Sequence, residues 1–105
     1  MSLEIDIRPD HLRIVRDILR RHLPPGTALW AFGSRTTGKA RPTSDLDLAV
    51  DAGRVLTARE HTLLADSFDE SDLPYKVDVI DLQRTSARFR AIVGKSRVPL
   101  EDAPL

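Results

Sequence analysis

Three aspartates in this chain stand where a folded protein has little structural use for them. Asp45 and Asp47 flank Leu46 at the head of an otherwise apolar run, Asp45-Leu46-Asp47-Leu48-Ala49-Val50. In a strand, residues two apart share a face, with Cα atoms roughly 7 Å apart. Both carboxylates then project together while Leu46, Leu48 and Val50 pack behind them. Two carboxylates that close repel, and one holds its proton more tightly unless a cation lies between them. Asp is also among the poorest strand formers. Such breaches of local rules collect at functional sites. Mg²⁺ relieves both faults, because it takes hard oxygen ligands and keeps positions open for phosphate oxygens.

A third carboxylate is expected from the apolar stretch Tyr75 to Leu82, where Asp78 and Asp81 compete. Asp78 lies between Val77 and Val79, mid-strand. Asp81 lies near the strand's end, where Asp commonly caps a turn. Alternation puts the two on opposite faces, so at most one joins the metal site; Asp78 is the candidate, and Asp81 is read as structural. Gly33-Ser34 offers the complementary half. A glycine directly after a buried strand lets a ligand approach the backbone, and the serine adds a hydroxyl and an N–H for an anion. Alone, Gly-Ser is a weak signal that reads more readily as an ordinary turn with a helix cap. Opposite a carboxylate pair it forms a triphosphate cradle facing a metal, the arrangement that phosphoryl chemistry needs. Arg35 and Lys39 lie around this loop, either as charge that neutralises the triphosphate or as plain solvated charge, whereas Arg41 reads as structural or partner-facing.

The elements that position these groups follow from periodicity. Pro9 opens an amphipathic helix with Leu12, Val15, Ile18, Leu19 and Leu23 on one side. Arg13, Arg16, Arg20 and Arg21 occupy the remainder, as a solvated face laced by Asp10 and Asp17 or as a surface for an acidic partner. Pro24-Pro25-Gly26 ends that helix. Thr27 to Phe32 predicts a buried strand with Trp30 in the core, and 35–44 a loop or short helix. Asp45 to Val50 is the second strand. Thr57 and Glu60 make a capping box for a helix to about Phe68. Tyr75 to Leu82 is the third strand, and Tyr75 itself an ordinary strand-edge tyrosine. Thr85 or Ser86 caps a last helix, with Gly94 at its C′ position and a short extended tail beyond. His11, His22 and His61 are scattered without metal-ligand spacing. The expected fold is α/β: a small mixed sheet flanked by helices, with residues 1–105 as one domain.

Composition narrows the function. Sixteen basic and sixteen acidic residues give zero net charge, which argues against direct, sequence-blind nucleic-acid binding. The basic set is mostly Arg and the acidic set mostly Asp, types suited to phosphate and to Mg²⁺. There is no cysteine, hence no thiol nucleophile and no thiolate zinc site. No signal peptide and no apolar span of membrane length is visible, so a cytoplasmic protein is expected.

Gly33-Ser34, ten residues, then Asp45-x-Asp47 resembles the signature of the DNA polymerase β-like nucleotidyltransferases. The fuller string Gly33-Ser34-Arg35, Gly38, Ala40-Arg41, Ser44-Asp45-Leu46-Asp47-Leu48, with Val77-Asp78-Val79 downstream, resembles their smallest branch, the minimal nucleotidyltransferases. The resemblance implies two Mg²⁺ ions held by Asp45, Asp47 and Asp78, with Asp78 on the nucleophile side. It also implies a triphosphate held at Gly33 and Ser34, and in-line attack on the α-phosphorus with pyrophosphate leaving. ATP is the expected co-substrate. Members of this branch are frequently antitoxins of HEPN-type helical toxins, and some transfer AMP to a tyrosine of that partner. A HEPN-type toxin is therefore the expected acceptor. Two rivals remain: a non-catalytic antitoxin that neutralises its partner by occlusion, and transfer to a small molecule such as an aminoglycoside.

Overall fold

In the computed structural model, which describes residues 5–100, these periodicities become three helices and four strands. Helix α1 (Pro9–His22) is followed by strand β1 (Ala28–Phe32), a 3₁₀ turn (Gly33–Thr36) and strand β2 (Leu46–Asp51). Helix α2 (Ala58–Asp69), strand β3 (Val77–Asp81), helix α3 (Ala87–Ser96) and strand β4 (Val98–Pro99) complete the order. The strands form one mixed sheet in the order β3-β2-β1-β4. β1 runs antiparallel to β2 and to β4, and β2 runs parallel to β3. A parallel pair needs a crossover connection, and α2 supplies it.

Alternation along β2 divides the molecule into two layers. Leu46, Leu48 and Val50 are fully buried and join Val15, Ile18 and Leu19 of α1 with Leu64 and Phe68 of α2 in the main core. Each fully buried aliphatic side chain contributes about 1.5–3 kcal/mol. The other face carries Asp47, Ala49 and Asp51. There Ala49, Leu82 and Val93 form a second, smaller cluster with Trp30, Phe32 and Phe89. The carboxylate face is thus partly roofed by α3, while the opposite face anchors the strand.

The capping box forms as expected, with Thr57 Oγ1 accepting from the Glu60 N–H (3.1 Å) and Glu60 Oε1 from the Thr57 N–H (2.8 Å). Ser86, rather than Thr85, caps α3, accepting from the Phe89 N–H. The tail is extended, as expected, and pairs with β1, the Leu100 N–H donating to the Leu29 carbonyl at 3.0 Å. Two expectations need correction. Gly94 is not a C′ residue: α3 continues through it to Ser96 and is capped at Arg97. Arg16 is not on a solvated face; it is 3% exposed and its guanidinium donates to the Leu100 carbonyl. Of the expected pairings on α1, Asp17 does pair with Arg21, one turn on, but Asp10 pairs with Arg8, which precedes the helix.

Candidate active site

The site is assembled where β1 ends beside the starts of β2 and β3. Register places Phe32 opposite Asp47 and Asp47 opposite Asp78, on adjacent strands spaced about 4.8 Å apart. Asp45 precedes β2 by one residue and is exposed, whereas Asp47 and Asp78 are half-buried. Burial pushes the Asp47 carboxyl above its ordinary value, and the neighbouring charges of Asp78 and then Asp45 push it further. The charges of Asp45 and Asp78 therefore both bear on Asp47. Lys76 Nζ lies 3.5 Å from Asp78 Oδ1 and brings one positive charge to the group.

Gly33 shows why a glycine must follow β1. Its φ is +80°, and a Cβ there would lie 2.6 Å from Asp47 Oδ2. A side chain would collide with the carboxylate, in a backbone conformation that L residues rarely adopt. The Gly33 N–H donates to Ser96 Oγ (3.3 Å), which ties the last residue of α3 to the glycine loop. Nothing in the local pattern singles out Ser96, because the contact joins residues far apart in sequence. The Ser34 hydroxyl makes no hydrogen bond among the described residues, and Lys39 is exposed with its own N–H bonded to the Ser34 carbonyl (3.2 Å). Both side chains are available to a ligand.

Arg35 is a different case and corrects the expectation that it meets the triphosphate. It is 5% exposed, and its guanidinium donates to the carbonyls of Ser44, Pro42 and Asp6 at 2.7–3.1 Å. It also stacks over the Tyr75 ring at 4.1 Å. Its donors are committed to the protein, so it shapes the loop between Gly33 and Asp45 rather than offering charge to a phosphate. Arg41 is exposed, its N–H bonded to Ser44 Oγ (2.8 Å).

Asp81 faces away from this group. It is 5% exposed and accepts from the N–H groups of Leu56 (2.8 Å) and Gln83 (2.9 Å), a turn and loop tie. The three histidines bond structurally, His11 with Tyr75, His22 with Ser67 and His61 with the Val79 carbonyl. Among the described residues, no group of three His, Asp or Glu side chains is arranged to hold a metal ion. No described helix is long and apolar enough to cross a membrane. A cleft of about 480 Å³ opens beside the aspartates, lined by Asp47, Asp78, Phe32 and Phe89 and extending past β3 to His61 and Asp69 of α2.

Comparison with known proteins gives concordant results. The family model described as polymerase beta, nucleotidyltransferase matches residues 15–102. A Haemophilus influenzae protein named probable protein adenylyltransferase MntA is 42% identical over 99 residues, covering 94% of this chain and 86% of its own. Among solved structures, a toxin–antitoxin crystal structure with AMP-PNP superposes with a TM-score of 0.73 at 28% identity, over 85% of this chain and 71% of that one. A tri-AMPylated Shewanella oneidensis HEPN toxin in complex with its MNT antitoxin gives 0.70 at 26% identity, over 90% and 71%.

Proposed function

The chain belongs to the polymerase β nucleotidyltransferase family, and we propose that it transfers AMP from ATP to a HEPN-type toxin, acting as its antitoxin in the cytoplasm. The observation that carries this reading is the pairing of Asp47 with Asp78 on adjacent strands, with Gly33 so close to Asp47 that a single Cβ would collide with its carboxylate. The names of its relatives support the acceptor class, since one is a protein adenylyltransferase and another was solved with an AMPylated HEPN toxin.

The donor set fits Mg²⁺. Asp47 is held at a raised proton affinity by burial and by two neighbouring carboxylates, the condition that a divalent cation relieves. Asp45, Asp47 and Asp78 would hold the ions. Two Mg²⁺ ions, when bound, would supply charge neutralisation at the triphosphate and at the entering and leaving oxygens. The protein's own part is positional. Gly33 lets the phosphates approach the backbone, the Ser34 amide and hydroxyl orient them, and Lys39 adds charge at the loop. Asp78 takes the proton of the attacking hydroxyl. Residues 1–105 are read as one minimal catalytic domain.

The decisive experiment is incubation with ATP labelled at the α-phosphate, Mg²⁺ and a HEPN-type partner. Label should pass to the partner with wild type and be lost with Asp78→Ala, while that variant still binds ATP. Transfer undiminished in Asp78→Ala would remove the reading.

A further inference from the structure

Strand β3 is the outer strand on its side of the sheet. The Leu46 N–H donates to the Lys76 carbonyl (2.9 Å), and the Leu82 N–H to the Val50 carbonyl (3.0 Å). Backbone groups alternate in direction along a strand, so those bonds turn Lys76, Asp78, Ile80 and Leu82 toward β2. The N–H and C=O groups of Val77 and Val79 consequently face outward. Of these four, the Val79 carbonyl alone has a partner among the described residues, His61 Nε2 at 3.4 Å. The cleft of the candidate site runs along this open edge, with Lys76 and Asp78 on one side and the stripe His61, Ala65, Asp69 of α2 on the other. The edge is therefore continuous with the chemistry.

Direction of attack selects this edge. Asp47 and Asp78 are neighbours across β2 and β3, and Gly33 directly follows Phe32, the partner of Asp47 on β1. In-line displacement puts the attacking oxygen opposite the departing pyrophosphate. With the triphosphate over Gly33 and Ser34, the acceptor oxygen must arrive from the far side, over β3.

Charge identifies the visitor. α2 ends on Asp66 and Asp69, is capped by Glu70, and has no basic residue in its last turn; Asp72 follows. Acids at a helix C-terminus oppose the helix dipole. All four are exposed, and none makes an ion pair among the described residues. Of the four, Asp69 lines the cleft, opposite Lys76, and the others lie at the same helix end. Acidic charge there disfavours nucleic acid and complements a basic chain, and an open strand edge pairs with extended backbone.

We infer that the acceptor is an extended, basic, hydroxyl-bearing segment of a protein, laid along the open edge of β3 so that its hydroxyl arrives beside Asp78. This rests on the nucleotidyl-transfer reading above. In the step, the acceptor oxygen bonds to the α-phosphorus as the bond to the pyrophosphate oxygen breaks. The hydroxyl proton passes to the Asp78 carboxylate and on to solvent, and pyrophosphate leaves.

The test uses a pool of peptides with a central tyrosine and randomised flanks, ATP labelled at the α-phosphate, and Mg²⁺. Wild type should label peptides enriched in Lys and Arg. The charge-reversed variant Asp66→Lys/Asp69→Lys should lose or invert that preference. Ala65→Trp, which fills the cleft from an exposed helix position, should cut peptide labelling by about tenfold. Labelling without basic preference, or undiminished in Ala65→Trp, would overturn the inference. So would an unlabelled pool from wild-type protein that binds ATP and releases pyrophosphate into water, a result that leaves the transfer reading standing. If wild type neither binds ATP nor releases pyrophosphate, the transfer reading falls and the acceptor groove with it.

Discussion

Asp47 is the residue on which local electrostatics and proposed chemistry meet. Its carboxyl is raised by burial first and by Asp78 and Asp45 second, so the folded chain binds that proton more tightly than the unfolded chain. Stability then falls as pH rises from the ordinary value of 3.8, and an ionised Asp47 works against folding at neutral pH. Asp47→Asn should raise the melting temperature at pH 7 by a few degrees without metal, roughly what a fraction of a kcal/mol produces in a chain this size. The gain should disappear in melts below pH 3.8. The same variant should weaken Mn²⁺ binding in calorimetric titration; unchanged affinity would remove Asp47 from the metal site. Asp81 should behave in the opposite way. Asp81→Ala leaves two N–H groups without their acceptor, a loss of about 2–4 kcal/mol readable in urea unfolding. Asp78→Ala should leave stability nearly unchanged.

At the scale of elements, what the sequence made legible was what neighbours in the chain decide. The Asp-Leu-Asp-Leu alternation fixed which face of β2 is apolar, because strand parity needs no tertiary information. Thr57 and Glu60 could be paired on sight, because a capping box closes within four residues. Thr57→Ala should cost about 1 kcal/mol, measured by thermal melts. Glu60 carries a pH signature. Arg54 first, and the Thr57 N–H second, hold its carboxyl down at about 2. Its contribution is therefore complete above the ordinary value of 4.5 and fades as pH falls toward 2. The stability gap between wild type and Glu60→Gln should close across that interval, and a gap constant in pH would show that the charge of Glu60 contributes nothing. The features that could not be read have distant partners. Arg35 reaches back to the Asp6 carbonyl and across to Tyr75, and Arg16 to the Leu100 carbonyl. In a sequence each is simply one Arg among many. β4 is two residues long and includes Pro99, tolerable only because the strand lies at the sheet's edge. Gly94 looked like a stop because glycine usually is one after a helix, but the helical bonding here runs on to Ser96.

For the whole molecule, the question is whether inactivation of a partner proceeds by turnover or by coverage. A catalyst works below equivalence and leaves a covalent mark; an occluding binder must be present one for one and leaves none. The face bearing Asp47 and Asp78 is only partly roofed by α3, so a partner docked there could be modified or merely covered. Dose separates these. With ATP and Mg²⁺, this protein at a small fraction of the partner's concentration should raise the partner's intact mass by about 329 Da per adenylyl unit, the mass that displacement at the α-phosphorus adds. The partner should remain inactive after this protein is removed. Asp45→Asn/Asp47→Asn should lose the effect at that dose while retaining the capacity to bind, because neither side chain supports the main core. A partner of unchanged mass, neutralised equally by the double variant at equimolar dose, would establish occlusion and reduce the aspartate group to a contact surface.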